Sequence, residues 1–318
     1  MKEKIELQRE RDFSENISTI FQIVRTQFKR LFGAILFIAG PIILIASILL
    51  AYAAVQNLNM ITNPDPDFFG GMLTVYSRAI LGYVGLWFGY SMVGVVTYSY
   101  LKVYQQSDDP QTITTDDIWK ESKKHILKIL LASLLTGIMI FLGAGFFAFF
   151  AVLMKGPLIV FGVIFAVITA VILGIYLSMV NPTIIFEKES IGKAIRKSFN
   201  YITDNFWITL GLAIVVTIIT YIMSIAFSIP SVIMNFVLSF NSISSIESGE
   251  VGRASDTFKI LYMLATMIAN LAGMIISAIP NISIGLHYFN LKEQKDSTGL
   301  MGQISQMGKS GTEEEETY

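Results

Sequence analysis

Long runs of apolar residues alternate with short charged clusters along the whole chain. Six of these runs reach about 20 residues, the length that a helix needs to cross a hydrocarbon core about 30 Å thick. They cover residues 31–55, 79–101, 129–154, 158–180, 206–229 and 260–285, and none contains Asp, Glu, Lys or Arg. Backbone groups in lipid must be hydrogen-bonded within their own segment, so these runs are expected to be helical. The pattern predicts an all-α integral membrane protein with six transmembrane helices.

A basic amphipathic stretch comes directly before each odd-numbered run. The first stretch, residues 13–33, matches the third, residues 191–211, when it is shifted by 178 residues, so that Phe28 falls on Phe206 and Gly33 on Gly211. A weaker middle copy has one face made of Ile118, Ser122, Ile126 and Ile129. The sequence therefore predicts three repeats of an interfacial amphipathic helix followed by a helical hairpin.

Apolar residues at steps of three and four predict one apolar face on each of the two clearer stretches. These faces consist of Phe13, Ile17, Ile20, Phe21, Val24 and Phe28 in the first stretch, and of Ile191, Ile195, Phe199, Ile202 and Phe206 in the third. Side chains suited to capping a helix start come before the stretches: Asp12 with Glu15, Thr114 with Asp117, and Ser190.

The polar faces of the amphipathic stretches carry basic residues that are expected to contact lipid headgroups. They are Arg25, Lys29, Arg30, Lys120, Lys123, Lys124, Lys193, Arg196 and Lys197. Two arrangements stay open: the helices lie in the headgroup plane with their aromatic side chains in the acyl boundary, or they pack under the bundle as a platform. Membrane lipids are the expected partners, together with another membrane protein or complex, and nucleic acid is not expected.

The distribution of Lys and Arg predicts the orientation in the membrane. With six spans, nineteen of these residues fall on the side of the termini and four on the opposite side. Positive residues in short loops are retained in the cytoplasm, so both termini are expected there. Residues 1–296 are interpreted as a single membrane domain with repeats 12–104, 113–182 and 190–287. Residues 297–318, rich in Gly and Ser and ending in acidic residues, are expected to be a disordered acidic tail.

Two asparagine–proline pairs lie at the ends of even-numbered runs, in corresponding places of two repeats. They are Asn181-Pro182 and Pro280-Asn281. Proline removes a helix hydrogen bond, and interrupted helices at matching positions can mark a binding site. The four residues are therefore candidate binding or kink residues; the alternative is that they only bend helices near water. The glycines of the second run, including Gly85-x-x-x-Gly89, indicate close helix packing.

The residue inventory offers little catalytic chemistry. The chain has no cysteine and only two histidines, His125 and His287, which are interpreted as interfacial residues. No nucleotide-binding, zinc-protease or serine-hydrolase motif is present. No metal or cofactor is expected, and the chain is not expected to be an enzyme. The apolar runs hold no ionisable residue, which disfavours ion-coupled transport.

The third stretch carries a family resemblance. EKESIGKAIRKSFNYITDNFWITLG, residues 187–211, resembles uncharacterised bacterial polytopic membrane proteins related to the membrane domain of glycerophosphodiester phosphodiesterases, and HYFNLKEQKDSTGL, residues 287–300, is similar to their ends. The resemblance implies a multi-pass protein of the bacterial cytoplasmic (inner) membrane without a catalytic domain. We expect a non-enzymatic accessory or scaffold protein that organises lipids or partner proteins. The alternative is a passive transporter of a lipid-like substrate, with its site near the two asparagine–proline pairs.

Overall fold

A computed structural model describes residues 4–62, 68–153, 158–248 and 256–296 of the chain. These residues are almost entirely helical, and they contain no strand, which confirms the predicted all-α class. Five of the described helices are long and apolar enough to cross a membrane, or six segments if one bent pair counts as a span. The chain is therefore a multi-pass helical membrane protein. The predicted acidic tail, residues 297–318, lies outside the described residues.

Ten α-helices make up the described part of the chain. They are α1 (Phe13–Ile38), α2 (Gly40–Thr62), α3 (Phe68–Gln106), α4 (Thr115–Lys123), α5 (Ile126–Leu153), α6 (Leu158–Leu177), α7 (Val180–Glu187), α8 (Ile191–Thr203), α9 (Phe206–Ser248) and α10 (Asp256–Asp296). A 3-10 turn at Pro110–Thr112 connects α3 to α4. Helices α3, α9 and α10 run well past the predicted spans. Helices α9 and α10 continue through Pro230 and Pro280.

The first amphipathic stretch does not form a separate helix, which differs from the predicted boundary near Leu31. Helix α1 continues to Ile38, and α2 begins at Gly40 at an angle of 53° to it. The break lies just before Pro41, whose ring would clash with the carbonyl group four residues earlier and which has no N–H to donate. The bend therefore lies at the proline and not at the earlier change from polar to apolar sequence near Leu31.

The second and third amphipathic stretches do form separate short helices. Two non-helical residues separate α4 from α5, and two separate α8 from α9. The predicted capping box of α4 is present, because the side chains of Thr114 and Asp117 each accept from the other's backbone N–H. Asp12 accepts a 2.7 Å bond from the Glu15 N–H at the start of α1. Ser190 occupies the N-cap position of α8, but its side chain makes no capping bond, so that detail of the prediction is wrong.

The packed faces of the amphipathic helices differ in part from the predicted apolar faces. In α1 the aromatic side chains Phe13, Phe21 and Phe28 are 41%, 43% and 52% exposed. The side of α1 that packs inward consists of Asn16, Thr19, Ile20, Ile23 and Gln27. In α8 the buried residues are Ala194, Ser198, Tyr201 and Ile202. Ser198, which matches Ile20 when the first stretch is shifted by 178 residues, is buried as Ile20 is. Ile118 of the middle stretch is buried as well.

The described residues group into two compact units. The first comprises those within Met1–Phe28, Tyr98–Val215 and Asn281–Tyr318, and the second those within Lys29–Thr97 and Val216–Pro280. In the second unit α3 packs against α2 through glycines, as the sequence predicts. A Cβ atom built on Gly85 would lie 2.8 Å from the Cβ of Ala46, and one on Gly89 would lie 2.3 Å from Ile43.

Helices α5 and α6 form an antiparallel hairpin in the first unit. A Cβ atom on Gly162 would lie 2.3 Å from the Cβ and 2.8 Å from the Cα of Ala151, so the two backbones approach closely there. Gly137 and Gly145 of α5 and Gly174 of α6 have no atom within 4 Å of an added Cβ. The hairpin is otherwise exposed, because only 11% of the most apolar stretch of α5 and 6% of that of α6 is buried.

Candidate functional site

The Asn181-Pro182 pair lies at a real helix break. Helix α6 ends at Leu177 and α7 begins at Val180, five and two residues before Pro182. In a continuous helix the ring of Pro182 would clash with the carbonyl group of Ser178. Ser198 of α8 bridges the interrupted backbone: its hydroxyl donates to the Tyr176 carbonyl at 2.5 Å and accepts from the Met179 N–H at 3.1 Å. The break is thus closed by a side chain from the neighbouring amphipathic helix.

The Pro280-Asn281 pair lies in an uninterrupted helix. Helix α10 continues through Pro280, and the Asn281 side-chain oxygen accepts a 3.1 Å bond from the Tyr98 hydroxyl. Asn181 is half-buried, and no hydrogen bond joins it to Asn281 in the described part of the chain. The two pairs are therefore unlike in their local structure, although they occupy matching places in the sequence.

The nine basic residues predicted to contact lipid differ in whether a carboxylate of the protein pairs with them. Arg25, Lys29 and Arg196 are exposed and make no ion pair among the described residues, and Lys123 lies 5.6 Å from the ring centre of Trp119. Arg30 is half-buried. The other four basic residues form ion pairs with carboxylates: Lys120 with Asp116, Lys124 with Glu121, Lys193 with Glu189, and Lys197 with Glu187 and Glu189. The basic faces are thus partly neutralised by the protein itself.

A buried ion pair ties α4 to the end of α3. The Lys102 ammonium group lies 2.7 Å from a carboxylate oxygen of Glu121 and also donates to the Ile185 carbonyl of α7 at 2.7 Å. His125 lies 3.1 Å from the same oxygen of Glu121, and Lys124 lies 2.6 Å from the other. Lys102 and His125 are each 6% exposed. We name this cluster of Lys102, Glu121, Lys124 and His125 the Glu121 joint.

A second buried carboxylate ties α8 to the end of α7. Glu187 accepts a 3.0 Å bond from the Tyr201 hydroxyl, a further bond from the Tyr288 hydroxyl of α10, and an ion pair from Lys197. The ring of Phe186 stacks on that of Tyr288 with centroids 5.2 Å apart. We name this cluster of Glu187, Lys197, Tyr201 and Tyr288 the Glu187 joint. It repeats the plan of the first joint with the two charges exchanged between the helices.

The start of α1 is tied to α10 by neutral groups. The Asn290 side chain donates to the Arg11 carbonyl at 2.9 Å and accepts from the Arg11 N–H at 3.1 Å. Within α1, Gln27 accepts a 2.9 Å bond from the buried Tyr100 hydroxyl of α3. Each of the three amphipathic segments is therefore fastened to the end of a long helix within the first compact unit.

The environment of the joints changes their titration. Burial on its own would raise the pKa of Glu121, but hydrogen bonds from Lys102, Lys124 and His125 outweigh it and lower the pKa to about 2. Burial lowers the pKa of His125, and the hydrogen bond to Glu121 opposes that change. The carboxylates of Glu187 and Glu189 raise the pKa of Lys197. The partners of Glu121 and Lys197 therefore favour the ionised form of each of these two side chains.

Sequence reasoning did not find the burial of the two histidines. Both were expected at an interface, but His125 is 6% and His287 is 1% exposed. His287 Nε2 lies 2.8 Å from the Thr209 hydroxyl of α9. One feature of the sequence indicated burial around His125: Lys102 is the first charge after a long apolar run, and the next amphipathic helix carries acidic residues.

The joints are suited to holding helices together rather than to catalysis. Each carboxylate already contacts three donor side chains of its own joint, which occupy most of its lone pairs. No group of three His, Asp or Glu side chains that could hold a metal ion occurs within the described ranges. No family model matches the chain, and neither a curated protein nor a solved structure matches it.

Proposed function

We propose that this chain is a non-enzymatic accessory or scaffold protein of the bacterial cytoplasmic membrane, which organises lipids or partner proteins. Its three amphipathic segments, as repeats of one unit, would lie on the cytoplasmic side with both termini. The resemblance to the membrane domain of glycerophosphodiester phosphodiesterases supports this placement as a proposal. The engagement of both joint carboxylates in contacts between helices supports the non-enzymatic part.

The exposed α5–α6 hairpin is the observation that carries the proposal. Its two helices bury little apart from their contact with each other, and Phe141, Phe149 and Phe161 are 74%, 62% and 58% exposed. Such a surface must be covered by acyl chains or by another apolar protein surface. Because lipid tails are as apolar as leucine, protein helices associate in membranes through close packing at small residues. Gly137, Gly145 and Gly174 are small residues on the open surface of the hairpin, where another helix could approach closely.

The joints explain how such a hairpin is held in place. Helix α5 follows directly after the Glu121 joint, and α6 leads through α7 into the Glu187 joint. Both ends of the hairpin are thus anchored by buried ion pairs whose separation would leave a charge without a partner. A fixed apolar surface on an anchored base is what a scaffold needs to present one face to its neighbours.

Extraction of the full chain from its native membrane into polymer nanodiscs, followed by mass spectrometry, tests this function. We expect a partner protein or a particular lipid to be isolated with the chain at a constant ratio. Gly145→Leu should lower that ratio, because the new side chain fills the open surface of the hairpin. Gly33→Leu is the matched control, since Gly33 on α1 is also open. A monomer that carries neither a partner nor an enriched lipid contradicts the proposal.

A further inference from the structure

Helix α10 carries an amide side chain deep in a membrane span. Asn270 lies ten residues after the start of the apolar run 260–285. That distance is about 15 Å along a helix, half of a hydrocarbon core about 30 Å thick. The Asn270 side chain is half-buried, and it makes no hydrogen bond with any residue that the structure describes. Because a polar group in lipid is costly without a hydrogen bond, this amide needs a partner from outside the described chain.

Asn270 does not face the acyl chains. The exposed apolar side of α10 consists of residues that are 48–58% exposed, namely Ile260, Leu261, Leu264 and Ile268. Successive residues are turned by about 100° around a helix, which places Asn270 on the other side with Thr266, Gly273 and Ser277. These four residues are half-buried, so a small molecule can reach them although they face away from lipid. This side of α10 therefore lines an opening within the second compact unit.

Helix α9 presents a hydroxyl group to the same region of the second unit. The Tyr262 hydroxyl of α10 donates to Asn235 Oδ1 of α9 at 3.2 Å, which fixes the antiparallel register of the two helices. With a rise of about 1.5 Å per residue in each helix, Ser224 lies level with Gly273. Ser224 is half-buried, whereas Ile222 on the lipid-facing side of α9 is 62% exposed. The hydroxyl group of Ser224 is therefore turned away from lipid, as Asn270 is.

A tyrosine of α3 adds a second polar group without a partner. The Tyr90 hydroxyl lies 3.0 Å from the position that a Cβ atom would take on Gly273, so the missing side chain lets this hydroxyl approach α10 within one turn of Asn270. Tyr90 is half-buried, and its hydroxyl is not hydrogen-bonded within the described ranges. Neither polar group is enclosed by the protein. We name the five residues Tyr90, Ser224, Thr266, Asn270 and Ser277 the Asn270 cluster.

The hydrogen bonds that the cluster already makes define which ligand fits it. The hydroxyls of Ser224, Thr266 and Ser277 donate to carbonyl groups of their own helices at 2.8, 2.9 and 2.7 Å. A hydroxyl group has one proton, so these three present only lone pairs to a ligand. The Asn270 carboxamide and the Tyr90 hydroxyl can each donate and accept. A matching ligand therefore donates several hydrogen bonds and also accepts some.

The surroundings of the cluster favour an uncharged ligand. All five residues lie in the apolar runs 79–101, 206–229 and 260–285, which contain no Asp, Glu, Lys or Arg. A charge at this depth is costly unless an opposite charge lies beside it. An ammonium ion would lack that charge, and it cannot accept from Asn270 or Tyr90. An alcohol carries no charge, and each of its hydroxyl groups both donates and accepts.

We propose that the Asn270 cluster binds an uncharged molecule that carries two or more hydroxyl groups. Its oxygen atoms accept from Asn270 and Tyr90, and one of its hydroxyl groups donates to Ser224. Thr266 and Ser277 extend the row of acceptors by one turn toward either membrane surface. The source is a free polyol or the sugar headgroup of an uncharged lipid. The site is independent of the proposed scaffold role, because the α5–α6 hairpin and both joints belong to the first compact unit.

Ligand-observed NMR titration of the full chain in phosphatidylcholine nanodiscs tests the proposal with three probes. Erythritol, an uncharged molecule with several hydroxyl groups, is expected to bind saturably. The ether 1,2-dimethoxyethane accepts but does not donate, and propylammonium donates but is charged, so both should bind at least about tenfold more weakly. Equal binding of the three probes, or no saturable erythritol binding because water alone fills the opening, overturns the proposal.

Two variants remove the unpartnered groups without removing a hydrogen bond of the described fold. Tyr90→Phe deletes only the hydroxyl, and Asn270→Leu replaces the amide by an apolar side chain of similar size. Each should weaken erythritol binding about tenfold, and the free energy of unfolding should stay the same or rise. Tyr221→Phe is the matched control, because Tyr221 is 67% exposed on α9, and its dissociation constant should change less than about twofold. A loss of stability in Asn270→Leu with unchanged erythritol binding refutes the site.

Introduced cysteines test access to the cluster without relying on affinity. The chain has no native cysteine. Thiosulfonate reagents modify the thiolate form, which requires water at the sulfur atom. We expect Asn270→Cys to be modified, and Ile268→Cys on the exposed apolar side of α10 to be modified at least about tenfold more slowly. Equal or faster modification at position 268 overturns the assignment of an opening on the inner side of α10.

Lipid composition distinguishes the two sources of the hydroxyl groups. In nanodiscs that also contain glucosyl diacylglycerol, a headgroup that occupies the cluster should compete with erythritol and raise its apparent dissociation constant. An unchanged constant assigns the site to free polyols. Both results follow from erythritol binding to the second unit. Loss of a partner or lipid from the hairpin in Gly145→Leu would leave them unchanged, so the site and the scaffold role can fail separately.

Discussion

The Lys102 ammonium group lies 2.7 Å from the Glu121 carboxylate, at the point where the amphipathic helix α4 meets the end of α3. Its other hydrogen bond, to the Ile185 carbonyl, adds α7 to the same point. The three helices α3, α4 and α7 are thus held by one cation. A buried charge with two acceptors is costly to leave without them, so this residue fixes the register of the three helices.

Lys102→Met is expected to destabilise the protein strongly. It leaves the Glu121 carboxylate buried with fewer partners, and breaking a buried pair in this way costs about 3–5 kcal/mol. Lys124→Met is the matched control, because Lys124 pairs with the same carboxylate but is 65% exposed. An exposed pair contributes about 0–1 kcal/mol. The free energy of unfolding in detergent micelles measures both variants, and an equal loss would contradict a special role for the buried pair.

The Glu121 joint predicts a loss of stability in acid. The pKa of Glu121 falls from 4.5 to about 2 on folding, so its ionised form stabilises the folded state. That contribution is complete above about pH 4.5 and is lost as the pH falls toward about 2. Glu121→Gln should flatten the pH dependence of the unfolding free energy in this window. An unchanged slope in the variant would show that Glu121 does not titrate in this way.

Ser198→Ala tests the closure of the break between α6 and α7. The hydroxyl group satisfies the Tyr176 carbonyl and the Met179 N–H, and its removal leaves both groups without that partner. Each buried group left unpaired costs about 1–3 kcal/mol. Ser190→Ala serves as the control, because Ser190 makes no capping bond and its loss should be nearly neutral. Thermal unfolding compares the two; a similar midpoint for both would disprove the bridging role of Ser198.

Gly162→Ala tests the packing of the α5–α6 hairpin. The new methyl group would lie 2.8 Å from the Cα of Ala151, so the two backbones must separate. Overpacking of this kind costs about 1–3 kcal/mol. Gly174→Ala on the same helix meets no atom within 4 Å and should be neutral or slightly stabilising. Unfolding free energies of both variants provide the measurement, and tolerance of Gly162→Ala would contradict the close approach.

The helical class and the positions of the apolar helices could be predicted because hydrophobic length and the need to satisfy backbone groups decide them. The bend between α1 and α2 required knowing that Pro41 outweighs the change in polarity at Leu31. The packed face of α1 was missed for a related reason. Counting apolar residues selects Phe21 and Phe28, whereas tertiary packing buries Asn16 and Gln27.

The joints could not be predicted from periodicity, because they depend on contacts between side chains of different helices. Lys102 and Glu121 are close enough in sequence for a guess, but Arg11 and Asn290 meet only when α10 returns beside the start of α1. A pattern of polar residues also looks the same whether they face water or one another. Burial had to be known before His125 and His287 could be recognised as interior residues.

The central claim is that the three amphipathic segments lie on one side of the membrane, the cytoplasmic side, and form the base of the helices. The chain has no native cysteine, so single cysteines can be introduced at the exposed positions Arg25, Lys123 and Arg196 without background. Labelling of intact cells and of inverted vesicles with a membrane-impermeant thiol reagent is the direct measurement. We predict that all three positions react only in inverted vesicles. Reaction of any one of them in intact cells would contradict the account.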